Sequence, residues 1–192
     1  MLNDDPLSLA VRVQEFFKKK GLTLSVAESC TGGLISHYIT AVPGASGFFE
    51  GCAVTYSAHA KVRMLGVSEG VLGSFGAVSA ETAAEMAGRA RALLDTDFSL
   101  STTGNLGPDA LEGKERGLVY IGLASRTGEP QVIRLNLRGG RDENKQEAQM
   151  EEITSNPKQL VALKQAFENE NFLQIADTHA AGSDRSRRQG NL

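Results

Sequence analysis

Tryptophan is absent from the 192 residues, and only two cysteines, three histidines, three tyrosines and five prolines occur. Without Trp, and with aromatics at 6%, the chain has little from which to build a stacking platform for bases. Lys and Arg total 20 against 23 Asp and Glu, a net charge of −3. A surface built for phosphate backbones concentrates positive charge, so nucleic acid is not an expected partner. No apolar run approaches the roughly 18 residues of a membrane span. The N-terminal stretch, with Asp4, Asp5 and Lys18 to Lys20, lacks a signal-peptide core, which leads to the expectation of a cytoplasmic protein. Cys30 and Cys52 sit in apolar contexts outside any C-x-x-C pattern and read as reduced, buried thiols. His37, His59 and His179 are scattered and suggest neither a Ser-His-Asp triad nor a zinc site. Asp109, Glu112 and Glu115 lie in a charged loop and read as solvated carboxylates, so neither metal nor cofactor is expected.

Hydrophobic residues make up 41% of the chain, enough for one core and, at this length, one domain plus a tail. Asp5 before Pro6 reads as an N-cap with proline at the first helical position, followed by Leu9, Val13, Phe16 and Phe17 on one face. Residues 22–27 read as a strand, and 32–42 as a helix with Leu34, Tyr38 and Ile39 on one side. After the break at Pro43-Gly44, 48–56 reads as a strand and 59–65 as a helix. Ser79 caps a helix over 80–94 whose Ala83, Ala87, Ala90 and Leu94 suit close packing on a sheet. Strands follow at 98–102, 118–125 and 131–137, the last two joined by a turn short enough to require an antiparallel hairpin. The expected class is α/β, a single domain with a mixed sheet covered by helices on its faces. A polar helix is expected from Asp142 to about Ser155, a further one at 158–176, and disorder from Asp177 onward.

Glu28-Ser29-Cys30-Thr31-Gly32-Gly33 falls where a strand hands over to a helix. Its backbone N–H groups, with Ser29 and Thr31, suit an anion, and equally suit an ordinary capped turn. It is neither a P-loop nor a dinucleotide fingerprint. In order along the chain, AESCTGG, PGASGFFEG, VTYSAHAK, GAVSAETA and TGNLGPD resemble the motif set of the CinA C-terminal domain family, which includes the nicotinamide-nucleotide amidohydrolases. The resemblance covers residues 7–148 and implies a stand-alone domain at 1–150, with a divergent helical extension at 151–176 and a tail at 177–192.

That resemblance implies hydrolysis of the carboxamide of nicotinamide mononucleotide to the acid and ammonia, on a small-molecule nucleotide substrate. A homodimer stays open. Deamidation needs a nucleophile, a base to activate it and donors for the oxyanion. With no histidine available, serine with lysine is the remaining arrangement. By the resemblance Ser46, Tyr56 and Lys61 form the catalytic group, while Ser29 is an oxyanion donor or the nucleophile itself; Ser46 is placed ahead of it. Tyr56 would relay a proton between serine and amine. At an ordinary pKa near 10.4, lysine is neutral only a few times in ten thousand at pH 7, a cost of roughly 4.6 kcal/mol. Lys61 must therefore be desolvated.

For the substrate, the glycine turn offers Thr31, Gly32 and Gly33. Thr102 and Thr103 end a strand directly before Gly104, where open α/β sheets face ligands, and Thr103 matches the family's pocket hydroxyl. Arg141 reads either as a bidentate phosphate clamp or as a solvated charge beside Asp142 and Glu143. Two departures stand out. After Gly107-Pro108-Asp109 the family usually carries a glycine pair where this chain has Ala110-Leu111-Glu112, and beyond about Met150 its apolar closing helix is replaced by an unrelated sequence. Two further functions stay open: a non-catalytic nucleotide-binding module, and a serine amidase for another small carboxamide.

Overall fold

The structure, a computed structural model, describes residues 6–154. Asp5 and the segments beyond Thr154 lie outside the described residues, and so do the expectations placed on them. The elements run α1 (Pro6–Lys20), β1 (Leu24–Glu28), α2 (Leu34–Ala41), a 3₁₀ turn (Ala45–Gly47), β2 (Phe49–Val54), α3 (Ala58–Ala60), a π turn (Lys61–Leu65), α4 (Glu69–Phe75), α5 (Ala80–Leu94), β3 (Phe98–Gly104), β4 (Leu118–Ser125), β5 (Gln131–Asn136) and α6 (Arg141–Thr154). Five strands form one sheet in the order β2-β1-β3-β4-β5. β2 and β3 flank β1 in parallel, whereas β4 and β5 run antiparallel. This is the mixed sheet that strand-helix alternation followed by a hairpin requires.

Side chains alternate across a strand, and β3 shows which helix covers which face. Ser99 and Ser101 donate to the carbonyls of Ala87 and Ala83 on α5, while Phe98 turns to the other side and packs edge-on against Phe17 of α1. Ala83, Met86, Ala87 and Ala90 of α5 are fully buried, and Met86 alone contributes about 2 kcal/mol by leaving water. Small side chains here bring helix and sheet close enough for serine hydroxyls to reach helix carbonyls. Leu94, expected on this stripe, is 36% exposed; it is the final residue of α5 and lies over the edge strand β2, where a Cβ at Gly51 would be 3.4 Å from its Cδ1. α2 begins at Leu34, and of the expected face of Leu34, Tyr38 and Ile39 only Ile39 is buried, its partner being Ile35 one turn earlier. α4 is absent from the sequence reading: Gly70 and Gly73 obscure it, and a cap from Ser68 to Gly70 N helps to hold it.

Because β1, β2 and β3 are parallel, their C-terminal ends share one edge of the sheet. The chain leaves β1 for β2 on one side and later returns to β3 on the other, which puts the topological switch point at the end of β1. Ser29 follows directly on that strand.

Candidate active site

The turn after β1 is held by a carboxylate from inside. Glu28, wholly buried, accepts from Gly33 N at 2.8 Å, Ile35 N at 3.3 Å, and both the amide and hydroxyl of Ser36 at 2.9 and 2.8 Å. The first turn of α2 is thereby capped by the residue that ends β1, a contact stabilised by the positive end of the helix dipole. Of the turn amides that suited an external anion or an ordinary cap equally, that of Gly33 is occupied by this carboxylate. Gly32 and Gly33 both have left-handed φ, 63° and 96°, so the backbone can reverse tightly enough to bring the helix start over Glu28.

This reversal fixes Ser29. Lys61 Nζ lies 2.8 Å from Ser29 Oγ and 2.8 Å from the carbonyl of Thr55 at the end of β2. Only 1% of Lys61 is exposed and 6% of Ser29. Burial lowers the Lys61 pKa from 10.5 to about 8, against smaller upward pulls from Cys30 and Glu112. At pH 7 roughly a tenth of such amines are neutral, and the cost of the free base falls to about 1.4 kcal/mol. An ammonium donates to the serine oxygen; a neutral amine accepts the serine proton instead. The π turn supplies the placement. Its wider winding, closed by Val67 N to Lys61 O at 3.1 Å and by Gly66 in a left-handed cap, starts at Lys61 and directs that side chain inward. Single π turns of this kind recur at functional sites.

The remaining expected residues divide. Ser46 is a correction: it is exposed on the 3₁₀ turn before β2. The six residues of β2, roughly 20 Å at about 3.3 Å per residue, separate it from Lys61, so the two stand at opposite edges of the sheet. Tyr56 is 61% exposed, and its hydroxyl accepts from Arg141 Nη2 at 2.6 Å; it meets the arginine instead of standing between serine and amine. The other arm of Arg141 donates to Gly107 O, so this side chain ties the end of β2 to the loop after β3. Thr31 is fully buried with its hydroxyl 2.8 Å from that of Thr102, and acts within the wall of the turn. Thr103 donates to Ala77 O at 2.6 Å and is 1% exposed. At Gly104 a Cβ would lie 2.8 Å from Leu118 O, so close approach of β4 accounts for this glycine.

Gly32 does face another element: a Cβ there would be 3.5 Å from Lys145 Nζ. Lys145 therefore lies over the glycine turn, and Arg141, four residues earlier on α6, shares its face. Glu28 and Lys145 were not legible as site residues in the sequence, whereas Thr102 stood at the strand end expected to face a ligand. A glutamate that ends an apolar run five residues before Gly33 was the available signal for the first of them. A separate cavity of about 710 Å³ is lined by Asp109, Arg116 and Arg138 among others, and includes neither Ser29 nor Lys61. The Ser29–Lys61 geometry, rather than cavity size, identifies the candidate centre. Both cysteines are free thiols, and burial pushes Cys52 up to about 12. Among the described residues no helix is long and apolar enough to cross a membrane.

The fold and site together define an α/β domain with a buried serine–lysine pair at the switch point of a mixed sheet. The CinA C-terminal domain family matches residues 7–155, and the chain belongs to that family. Over 137 residues it is 47% identical to the nicotinamide-nucleotide amidohydrolase PncC of Shewanella oneidensis, covering 70% of this chain and 32% of that protein. A relative from Halothermothrix orenii is 44% identical over 143 residues, 74% of this chain and 35% of that protein. The chain thus spans about a third of the length of the curated relatives it matches. Among solved structures, the competence/damage inducible protein CihA from Agrobacterium tumefaciens aligns with a TM-score of 0.77 at 35% identity, covering 86% of this chain and 99% of that one. A CinA superfamily protein from Escherichia coli aligns with a TM-score of 0.78 at 29% identity, covering 85% and 92%.

Proposed function

We propose that this domain is a cytoplasmic amidohydrolase that converts nicotinamide mononucleotide and water to nicotinic acid mononucleotide and ammonia. The observation that carries the reading is the 2.8 Å contact between Lys61 Nζ and Ser29 Oγ, made by an amine with a pKa of about 8. Likeness to a relative named as an amidohydrolase of nicotinamide nucleotides supports the substrate class.

In this reading Ser29 Oγ attacks the carboxamide carbon while neutral Lys61 takes the hydroxyl proton. The resulting ammonium hands that proton to the departing nitrogen, the C–N bond breaks, and an acyl-serine remains. Water then attacks the ester with Lys61 again accepting a proton, and the carboxylic acid leaves as Ser29 recovers its hydrogen. Lys145 beside the glycine turn and Arg141 on the same face of α6 supply the cations that a substrate phosphate calls for.

The test is ammonia release from nicotinamide mononucleotide by the purified chain, compared with Ser29→Ala and Lys61→Met. Loss of roughly a thousandfold or more in both, with folding intact, is expected. Saturable nucleotide binding by the wild type without any ammonia would replace this reading with a binding module, and preference for a simple carboxamide would replace the substrate.

A further inference from the structure

Hydroxyls line both faces of β3, and one of them meets the turn that carries the nucleophile. Ser99, Ser101 and Thr103 donate to the carbonyls of Ala87, Ala83 and Ala77, on α5 and the segment that enters it. Thr102 stands between the last two and points to the opposite face. There Ser29 N donates to Thr102 Oγ1 at 3.4 Å, and Thr31 Oγ1 lies 2.8 Å from the same oxygen. Thr31 and Thr102 are both fully buried. The backbone register of β1 with β3 ends at the pair Ala27 and Ser101. Just beyond it, the Ser29 amide is met by a side-chain oxygen in place of a strand carbonyl.

We propose that Thr102 is a positioning residue, whose hydroxyl pins the amide of Ser29 and the side chain of Thr31 to the end of β3 and so holds the Ser29 hydroxyl on Lys61. The inference rests on the serine–lysine reading given above. The turn has need of such a tie, because Gly32 and Gly33 take left-handed φ and glycine has no side chain to confine its backbone. Gly32 N to Ser29 O at 3.1 Å, Leu34 N to Thr31 O at 3.3 Å and the bonds of Glu28 to the start of α2 join the turn to itself and to the helix. Thr102 joins it to the sheet. β2 and β3 flank β1, and each supplies one hold on Ser29. From the β2 side Lys61, anchored on the Thr55 carbonyl, meets its hydroxyl; from the β3 side Thr102 meets its amide.

An amide can only donate, so Thr102 Oγ1 accepts from Ser29 N, and its own hydrogen or that of Thr31 makes the second bond. What the place requires is an oxygen that accepts. Serine supplies one. Valine keeps the branched shape of threonine and leaves the Ser29 amide and the Thr31 hydroxyl without this partner. A displacement of about 1 Å between reacting groups costs on the order of a hundredfold in rate, and a serine that drifts from its base loses turnover before it loses substrate. The effect therefore falls on kcat and leaves KM in place.

The experiment compares Thr102→Val and Thr102→Ser with wild type in the complete chain, by the kinetics of ammonia release from nicotinamide mononucleotide and by hydrogen exchange of the Ser29 amide. In Thr102→Val, kcat should fall about tenfold or more with KM within about twofold, and the Ser29 amide should exchange faster. Thr102→Ser should recover both. A threonine that serves stability alone would lower the unfolding midpoint and leave kcat per folded molecule unchanged. That result overturns the proposal, as does a rise in KM alone or a folded Thr102→Ser that recovers neither property. Should Thr102→Val fail to fold, Thr102→Cys, whose sulfur is a weak acceptor, takes its place, with a smaller loss in the same direction expected. The exchange readout uses no turnover. A wild type that releases no ammonia defeats the functional reading, whereas Ser29 exchange left unmoved by Thr102→Val defeats the tie to β3 whether or not the chain is active.

Discussion

Lys61 Nζ sits 2.8 Å from Ser29 Oγ across 32 positions of sequence, and the carbonyl of Thr55 holds the same nitrogen from the other side. Two strand ends create this meeting. β1 delivers Ser29 and β2 delivers Thr55 to one edge of the sheet, and the π turn swings Lys61 back between them.

The pH dependence follows from that burial. If neutral Lys61 is the base, kcat/KM rises with pH and levels off near 8, the value to which burial lowers the amine. The same burial has a stability signature. The folded pKa is depressed from 10.5 to about 8, so the desolvation penalty, about 3 kcal/mol, is present in full below pH 8 and is relieved as pH rises to about 10.5. Lys61→Met should therefore be more stable than wild type at pH 7 by about 2 kcal/mol, once the loss of the Thr55 carbonyl's partner is deducted. The advantage should disappear above about pH 10. Urea unfolding at both pH values checks it, and a less stable variant at pH 7 would contradict the account.

Ser46→Ala is expected to keep ammonia release within about twofold of wild type, because a strand's length separates that hydroxyl from Lys61. A loss comparable to that of Ser29→Ala would return the nucleophile to the 3₁₀ turn and remove Ser29 from the role.

Glu28→Gln should destabilise the domain by about 2–4 kcal/mol in equilibrium unfolding. The substitution turns an amide nitrogen toward backbone donors that now share two carboxylate oxygens. Because Ser29 is the next residue, activity should fall along with stability. Unchanged stability would mean that water or another group caps α2 equally well.

Arg141→Lys retains a charge and loses the paired donors. For a phosphate-bearing substrate KM should rise roughly tenfold with little change in kcat, while the corresponding nucleoside, which has no phosphate, should be turned over as before. Equal losses for both substrates would indicate that Arg141 matters instead by tying Tyr56 to Gly107.

What the sequence determined by itself is local or periodic. The Ser79 cap and the alanine face of α5 were readable because capping and helical spacing act within a few residues. The β4–β5 hairpin was readable because a short turn leaves only one pairing. The ordered motifs likewise marked which segments matter. Only the tertiary structure decided which of them meet. Ser46 and Ser29 both precede or follow an apolar strand beside small residues, and nothing in their neighbourhoods distinguishes the two ends of a sheet. Parallel pairing of β1 with β2 does so, carrying Ser29 to Lys61 and leaving Ser46 at the far edge. The same holds for Glu28: its carboxylate reads as an ordinary polar group until folding brings backbone donors to it, and a contact decided by tertiary packing has no periodicity from which to infer it.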